Sequence, residues 1–282
     1  MCNRRLVRMI VIAFATVALA SSASAQCFDP AKHFRGGLWK NWIFQLSPGP
    51  SALAAVQRIE AEINSARAAA GLPLLVFDPE EPVQISIFEE ENPRGPDGAN
   101  LPDRLPNQEM ALVTFAELEG AYGGEVAVFL TDPLRSNASL TAKGVPGVTA
   151  VFERKISSKV EAGQSEMDTD WTATTDSDRI KFRARYPSDA LAGRARFPGT
   201  AAYLSCNVAH LLDILYRTRP TETFQWFDRY QLAAVVDFAR KDVEVTLKVN
   251  HHDPDVDQIF NDPANRPLAL GEYDRSVRIE RK

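Results

Sequence analysis

The chain has 282 residues, of which 45% are hydrophobic and 24% are charged. This length suits one large domain or two small ones and allows a substantial buried core. Acidic side chains outnumber basic ones by 37 to 32, and no basic patch is interleaved with aromatic residues. Binding to the phosphate backbone of nucleic acids is therefore not expected.

The first 25 residues are typical of a secretory signal peptide. The positive start consists of Arg4, Arg5 and Arg8. An apolar run, Met9–Ala20, follows, and small residues Ala23 and Ala25 precede Gln26 in the pattern of a cleavage site. The alternative is an uncleaved anchor, but a membrane span needs about 20 apolar residues. We expect cleavage after Ala25, a periplasmic or secreted protein, and no stable membrane insertion.

The part that remains, residues 26–282, shows no internal repeat and no clear linker, which indicates a single domain. It contains two cysteines, Cys27 and Cys206. In an oxidising compartment an even pair favours one disulfide, although two unpaired thiols are the alternative.

One amphipathic helix is clear in the N-terminal third. Ser51 can cap it, and Gly71 with Pro73 can end it. Apolar residues recur at spacings of three and four between Leu53 and Ala66, which predicts one buried face. The segment 201–217 has a similar stripe from Leu204 to Leu215 and is the second helix candidate, although its front end could be strand.

Most other segments alternate apolar and polar residues, as half-buried strands do. Two hairpins are predicted, one around Gly123-Gly124 and one around the polar turn 176–178. The charged, proline-rich stretch 89–108 is predicted to be a loop. Further strands are predicted at 83–88, 147–156, 223–232, 242–250 and 275–281.

Many short strands with few helices predict an α+β fold. Its core would be a mostly antiparallel sheet, or a barrel-like one, with two or three helices packed on it.

The motif HHDPDVD, residues 251–257, raises the question of a metal site. Its three aspartates alternate as in a calcium loop, but Gln258 stands where a glycine is needed and Ala264 where a glutamate should close the loop. His251 and His252 are adjacent, so at the end of a strand their side chains would point to opposite faces. We expect a polar loop in which Asp253 and Pro254 start a turn, with no metal ion and no cofactor.

An aromatic face on the strand 223–232 offers the best candidate binding site. It combines apolar walls with a hydroxyl and a nearby carboxylate, as small-molecule pockets do. The alternative is that the rings fill the core. The candidate residues are Phe224, Trp226, Asp228 and Tyr230.

Residues 120–155 resemble acetoacetate decarboxylase-like proteins in the order of their elements. A strand, EVAVFL, is followed by a Gly-x-Pro turn at Gly144-Val145-Pro146 and then by another strand. The resemblance implies a barrel with a cavity for a small, partly apolar molecule. The adjacent lysines of that family would follow the proline, where this chain has Gly147 and Val148. Decarboxylation through a Schiff base is therefore not expected.

These features predict an exported soluble protein that binds a small, partly apolar ligand without catalysis. One alternative is a lyase or hydrolase of small organic acids. It would use Lys155, Lys181 or Lys248, or the polar groups of Asp228, His251 and His252. Another is a structural or partner-binding envelope protein with an exposed apolar patch. The oligomeric state is not indicated by the sequence.

Overall fold

The structure is a computed structural model that describes residues 33–94, 106–119, 125–161, 164–196, 210–236 and 240–281. The predicted signal peptide and both cysteines, Cys27 and Cys206, lie outside these ranges. The helices are α1 (Pro50–Ala69), α2 (Ala138–Ala142) and α3 (Pro254–Asn261), with a short 3-10 turn at Ser188–Ala190. The strands are β1 (His33–Ser47), β2 (Leu75–Val76), β3 (Val83–Arg94), β4 (Asn107–Leu118), β5 (Glu125–Phe129), β6 (Leu134–Arg135), β7 (Val148–Thr149), β8 (Val151–Glu161), β9 (Gln164–Thr174), β10 (Arg179–Pro187), β11 (Leu191–Arg196), β12 (His210–Tyr216), β13 (Arg219–Val236), β14 (Glu244–Asn250) and β15 (Arg266–Arg281).

Seven strands form a closed ring. Their order is β3-β1-β15-β13-β12-β5-β4, and β4 pairs again with β3. Each pairing is antiparallel except that of β12 with β5. Because a closed sheet leaves no unpaired edge, the ring satisfies its own backbone groups. The predicted α+β fold with a mostly antiparallel, barrel-like core is confirmed.

The inner face of this barrel is identified by its aromatic residues. Phe88 in β3 and Trp226 in β13 lie three strand steps apart around the ring, which is roughly 14 Å along the sheet. Their ring centroids are nevertheless only 6.3 Å apart. Such a distance is possible only across the interior, so the face that carries Phe88 and Trp226 points inward.

A second sheet, in the order β14-β10-β9-β8, packs on the outside of the barrel. Trp171 in β9 lies 5.3 Å from Trp42 in β1, and Phe182 in β10 lies 5.8 Å from Phe44. These residues belong to one hydrophobic cluster, which also includes the buried face of α1. The barrel is therefore apolar on both faces along part of its wall.

Helix α1 matches its prediction closely, but its start is held differently. Its N-cap is Gly49, with Pro50 in the first turn, rather than Ser51. The carboxylate of Asp262 accepts a hydrogen bond from the Ala52 amide at 2.9 Å and so replaces a local capping side chain. This contact ties the start of α1 to the end of α3.

The helix predicted over 201–217 is wrong where the structure describes it, because residues 210–216 form β12. Ile214 and Tyr216 face the barrel interior, and Leu215 packs on the outer cluster. A strand that is buried on both faces has a nearly continuous apolar sequence, which resembles the buried stripe of a helix.

The loop predicted over residues 89–108 is wrong at both ends, since β3 continues to Arg94 and β4 begins at Asn107, while residues 95–105 lie outside the described ranges. The backbones of Glu89, Glu90 and Glu91 pair with β1. Glu90 is fully buried, and Asn107 Nδ2 donates a hydrogen bond to its Oε2 at 3.1 Å.

Within the described ranges, no helix combines the length and apolar character needed to cross a membrane.

Candidate functional site

Two of the aromatic residues predicted for the binding site, Phe224 and Trp226, lie in the barrel interior. Phe224 is fully buried and Trp226 is 6% exposed. Asp228 and Tyr230 occupy later positions of β13, where Asp228 pairs with His210 and Tyr230 with Arg275 along the backbone. The side chains of Asp228 and Tyr230 are outside what the structure describes. Two of the four predicted residues are thus known to be walls of the interior.

Trp226 belongs to a cluster of three rings from three strands. Its centroid is 4.9 Å from that of Trp39, nearly perpendicular to it, and Phe88 lies 4.8 Å from Trp39. Edge-to-face contacts of this kind stabilise a fixed arrangement of rings. Phe88 was not predicted as part of the site. The alternation along its strand indicates that one face is buried, but it does not show which other strands that face contacts.

Asn41 lies on the same face of β1 as Trp39 and is fully buried. Along the backbone it pairs with Phe88 on one side and Tyr273 on the other. Among the residues that the structure describes, neither its amide nitrogen nor its amide oxygen has a hydrogen-bond partner. Buried polar groups almost always have partners in native proteins, so an amide with both ends unsatisfied calls for an explanation.

A polar layer lies next to Asn41 in the same interior. Arg135 Nη1 is 2.6 Å from Glu109 Oε2, and both side chains are buried. Asn107 Nδ2 is within hydrogen-bonding distance of Glu90 Oε2 at 3.1 Å and of Glu109 Oε2 at 3.4 Å. Unlike Asn41, Asn107 also accepts a hydrogen bond, from the Asn137 amide at 3.3 Å. The interior therefore combines aromatic walls with a hydrogen-bonded polar end.

The motif HHDPDVD lines a separate cleft of about 370 Å³ on the outside of the barrel. Residues 254–261 form α3 rather than the expected loop. The helix forms because the Asp253 carboxylate accepts hydrogen bonds from the amides of Asp255 and Val256, with Pro254 in the first turn. The cleft also contains Arg217, which pairs with Asp253 at 2.7 Å and with Glu62 at 2.5 Å.

Asp178 anchors His252, and its Oδ1 lies 3.8 Å from His251 Nε2. Its Oδ1 accepts hydrogen bonds from the His252 backbone amide at 2.8 Å and from His252 Nδ1 at 2.7 Å. Burial alone would raise the pKa of Asp178, but these bonds and one from Ser177 outweigh burial and lower the pKa to about 2. Burial lowers the pKa of His251, although Asp178 acts in the opposite direction, so His251 is neutral at pH 7.

The two histidine rings do not point to opposite faces, because residue 251 already lies beyond the end of β14. They stack with centroids 4.5 Å apart, and the possible ligand atoms of His251, His252 and Asp178 lie within 4.8 Å of one another. His251 Nδ1 accepts a hydrogen bond from the Asp253 amide at 3.0 Å, so the neutral ring carries its proton on Nε2, toward Asp178. A metal ligand usually donates from its second nitrogen instead. The geometry favours a hydrogen-bonded anchor over a shared ion.

Comparison of the chain with protein-family models, curated proteins and solved structures gave no match. The resemblance to acetoacetate decarboxylase-like proteins therefore stays a prediction.

Asp178 is expected to make stability depend on pH in the acid range. Its pKa is lower in the folded chain than the ordinary 3.8, so its contribution is complete above about pH 4 and is lost as the pH falls toward 2. The shift corresponds to about 2 kcal/mol. Denaturant unfolding should show that Asp178→Asn is less stable than wild type by about this amount at pH 7, with the gap closing near pH 2.

The exposed neighbour Asp176 provides the control for this measurement. Asp176→Asn should leave the free energy of unfolding almost unchanged at both pH values. A gap for Asp178→Asn that stays constant from pH 7 to pH 2 would show that the carboxylate charge is not what stabilises this turn.

Proposed function

We propose that the protein is exported and binds a small, partly apolar ligand inside the barrel. The observation that carries this proposal is the buried amide of Asn41, whose donor and acceptor have no partner in the described part of the chain. The rings of Trp39, Phe88 and Trp226 provide apolar walls on the same face. Export is proposed from the signal-peptide pattern of residues 1–25.

The chemistry of Asn41 limits the polar end of the ligand. An unsatisfied buried amide group costs about 1–3 kcal/mol, and a bound molecule that supplies the missing bonds recovers this cost. A carboxamide or a protonated carboxylic acid presents one acceptor and one donor side by side, which matches the two ends of an asparagine amide. A flat apolar body would suit contact with the rings.

A pair of asparagine variants tests this role. Asn41→Leu is expected to raise the free energy of unfolding by about 1–3 kcal/mol, because it replaces an unsatisfied polar group by an apolar one of similar size. The same variant should no longer bind. Binding is measured as a thermal shift and as quenching of tryptophan fluorescence, with benzamide, benzoic acid and short aliphatic amides as probes.

The matched control is Asn107→Leu, the same replacement at another fully buried position. Asn107 is hydrogen-bonded at both ends, so its loss should destabilise the protein rather than stabilise it. If no probe stabilises the wild-type protein, or if Asn41→Leu is less stable than wild type, the proposal fails. Trp226→Ala should also weaken binding, because it removes one wall.

A second candidate function is general-base catalysis in the outer cleft. Asp178 orients His252 through Nδ1, so its Nε2 is the nitrogen left to accept a proton, and the His252 side chain is 64% exposed. The lysines are less suited to the alternative of a Schiff base, since Lys155 and Lys248 are exposed and Lys181 pairs with Asp170 at 3.3 Å. Borohydride trapping with a keto acid, read by intact mass, detects a Schiff base on a lysine. Such an adduct would contradict both ligand binding without catalysis and general-base catalysis by His252.

A further inference from the structure

Strand β8 is the last strand of the outer sheet. It pairs with β9 along all of its length, and no strand of the described part of the chain pairs with its other side. Residues 153–160 are exposed. Unpaired edges invite pairing with another chain, and proteins usually protect them.

Three apolar residues of this edge are exposed. Val151 is 69% exposed, Ile156 43% and Val160 73%. All three are β-branched residues that favour strands. Ile156 and Val160 lie on one face of the strand, where a chain paired along β8 would contact them.

The charges on β8 indicate what that molecule is. In an antiparallel pair of two β8 strands, a two-fold axis through Ile156 places Glu153 of each copy opposite Lys159 of the other. The pairing therefore contains two such ion pairs. It also places Phe152 opposite Val160 and Ile156 opposite itself. This register uses all 11 residues of the strand. Opposite charges that face each other across strands stabilise a pairing, and like charges oppose it.

The neighbouring registers are less favourable, either in charge or in length. An axis through Lys155 would place that lysine opposite itself, and an axis through Ser157 would place Lys155 opposite Lys159. An axis through Ser158 pairs Lys155 with Glu161, but it engages a shorter part of the strand. The register centred on Ile156 is therefore the one that combines complementary charge with full length.

The outer sheet already follows this charge pattern. On its outer face Lys155 and Lys159 of β8 stand opposite Asp170 and Glu166 of β9 in the backbone register. In β10, Arg183 contacts Asp168 at 2.6 Å and Arg185 contacts Glu166 at 2.9 Å. The carboxylates of β9 thus face basic residues on both neighbouring strands, and in the proposed register Glu153 of a second β8 would face Lys159 in the same way.

We propose that the chain forms a two-fold dimer in which the β8 edges of two copies pair antiparallel around Ile156. The outer sheets of the two copies then form one continuous sheet of eight strands. The barrel interior and the dimer edge are separate places in the fold, so the dimer proposal does not rest on the proposed ligand binding.

Light scattering coupled to size exclusion tests the dimer with the whole exported chain. We expect a mass twice that of one chain at about 100 μM and dissociation on dilution. Lys159→Glu places like charges opposite each other at two positions and should weaken dimerisation at least tenfold. Glu153→Lys combined with Lys159→Glu exchanges the two charges and should restore the dimer.

Lys155→Glu is the matched control, because in this register Lys155 faces Ser157. It should change the dissociation constant by less than threefold, and circular dichroism should show that each variant keeps its fold. A wild-type chain that is monomeric at every concentration would overturn the proposal. It would equally be overturned if the double variant stays monomeric, or if Lys155→Glu disrupts the dimer as strongly as Lys159→Glu.

Discussion

Replacing Arg135 by leucine is expected to lower the free energy of unfolding by about 3–5 kcal/mol. Arg135 is fully buried, and its Nη1 lies 2.6 Å from Glu109 Oε2. Its Nε also donates a hydrogen bond to the Pro146 carbonyl oxygen at 3.0 Å. The substitution would leave the Glu109 carboxylate buried without this cation, and an uncompensated buried charge is far more costly than a lost surface ion pair. Denaturant unfolding at pH 7 measures the effect.

Arg183→Leu is the control for this prediction. Arg183 also makes a close contact with a carboxylate, Asp168, at 2.6 Å, but its side chain is 49% exposed. Water and salt screen such a pair, so its loss should change stability little. If the two variants are equally stable, burial does not determine the strength of these ion pairs.

Trp171→Ala is expected to destabilise the protein by about 3–5 kcal/mol, as large-to-small changes of buried aromatic residues do. Trp171 is fully buried between the outer sheet and the barrel, 5.3 Å from Trp42. The guanidinium of Arg154 lies 4.7 Å from its ring centroid. The variant would lose the packing that attaches the outer sheet to β1, and chemical denaturation measures that loss.

Trp171→Phe provides the comparison, because it keeps a ring in the contact and removes the hydrogen bond from Nε1 to Thr169 Oγ1. It should cost less than half as much as Trp171→Ala. An alanine variant as stable as the phenylalanine variant would show that the outer sheet does not depend on this contact for its attachment.

The strands that the sequence predicted well are those with one buried and one exposed face. β10 alternates buried and exposed residues along its length, and its hairpin with β9 closes between Thr174 and Arg179 as expected. Amphipathic alternation is a local property, so it can be read without knowledge of the neighbours. β12 was mistaken for a helix because its neighbours bury both of its faces.

The residues of the candidate site likewise fall into those that local sequence predicts and those that depend on distant strands. Trp226 was predicted from its alternating strand, and it does line the interior. Asn41 and Glu90 were not predicted, because a polar residue in a strand is usually exposed. Their burial depends on which strands close around them. The histidine motif was judged by spacing alone, which did not reveal that Asp178, more than 70 residues earlier, holds the His252 ring and lies beside that of His251.

The sequence alone was sufficient to predict the α+β class, the amphipathic helix α1 and most of the strands, because these depend on the period of apolar residues within a few turns or strand lengths. The tertiary structure alone decided that β3 and β4 close the ring, that Phe88 and Trp226 meet across it, and that the Asn41 amide has no hydrogen-bond partner within the described ranges. These features depend on contacts between residues far apart in the chain, and local periodicity carries no information about which distant strands pair.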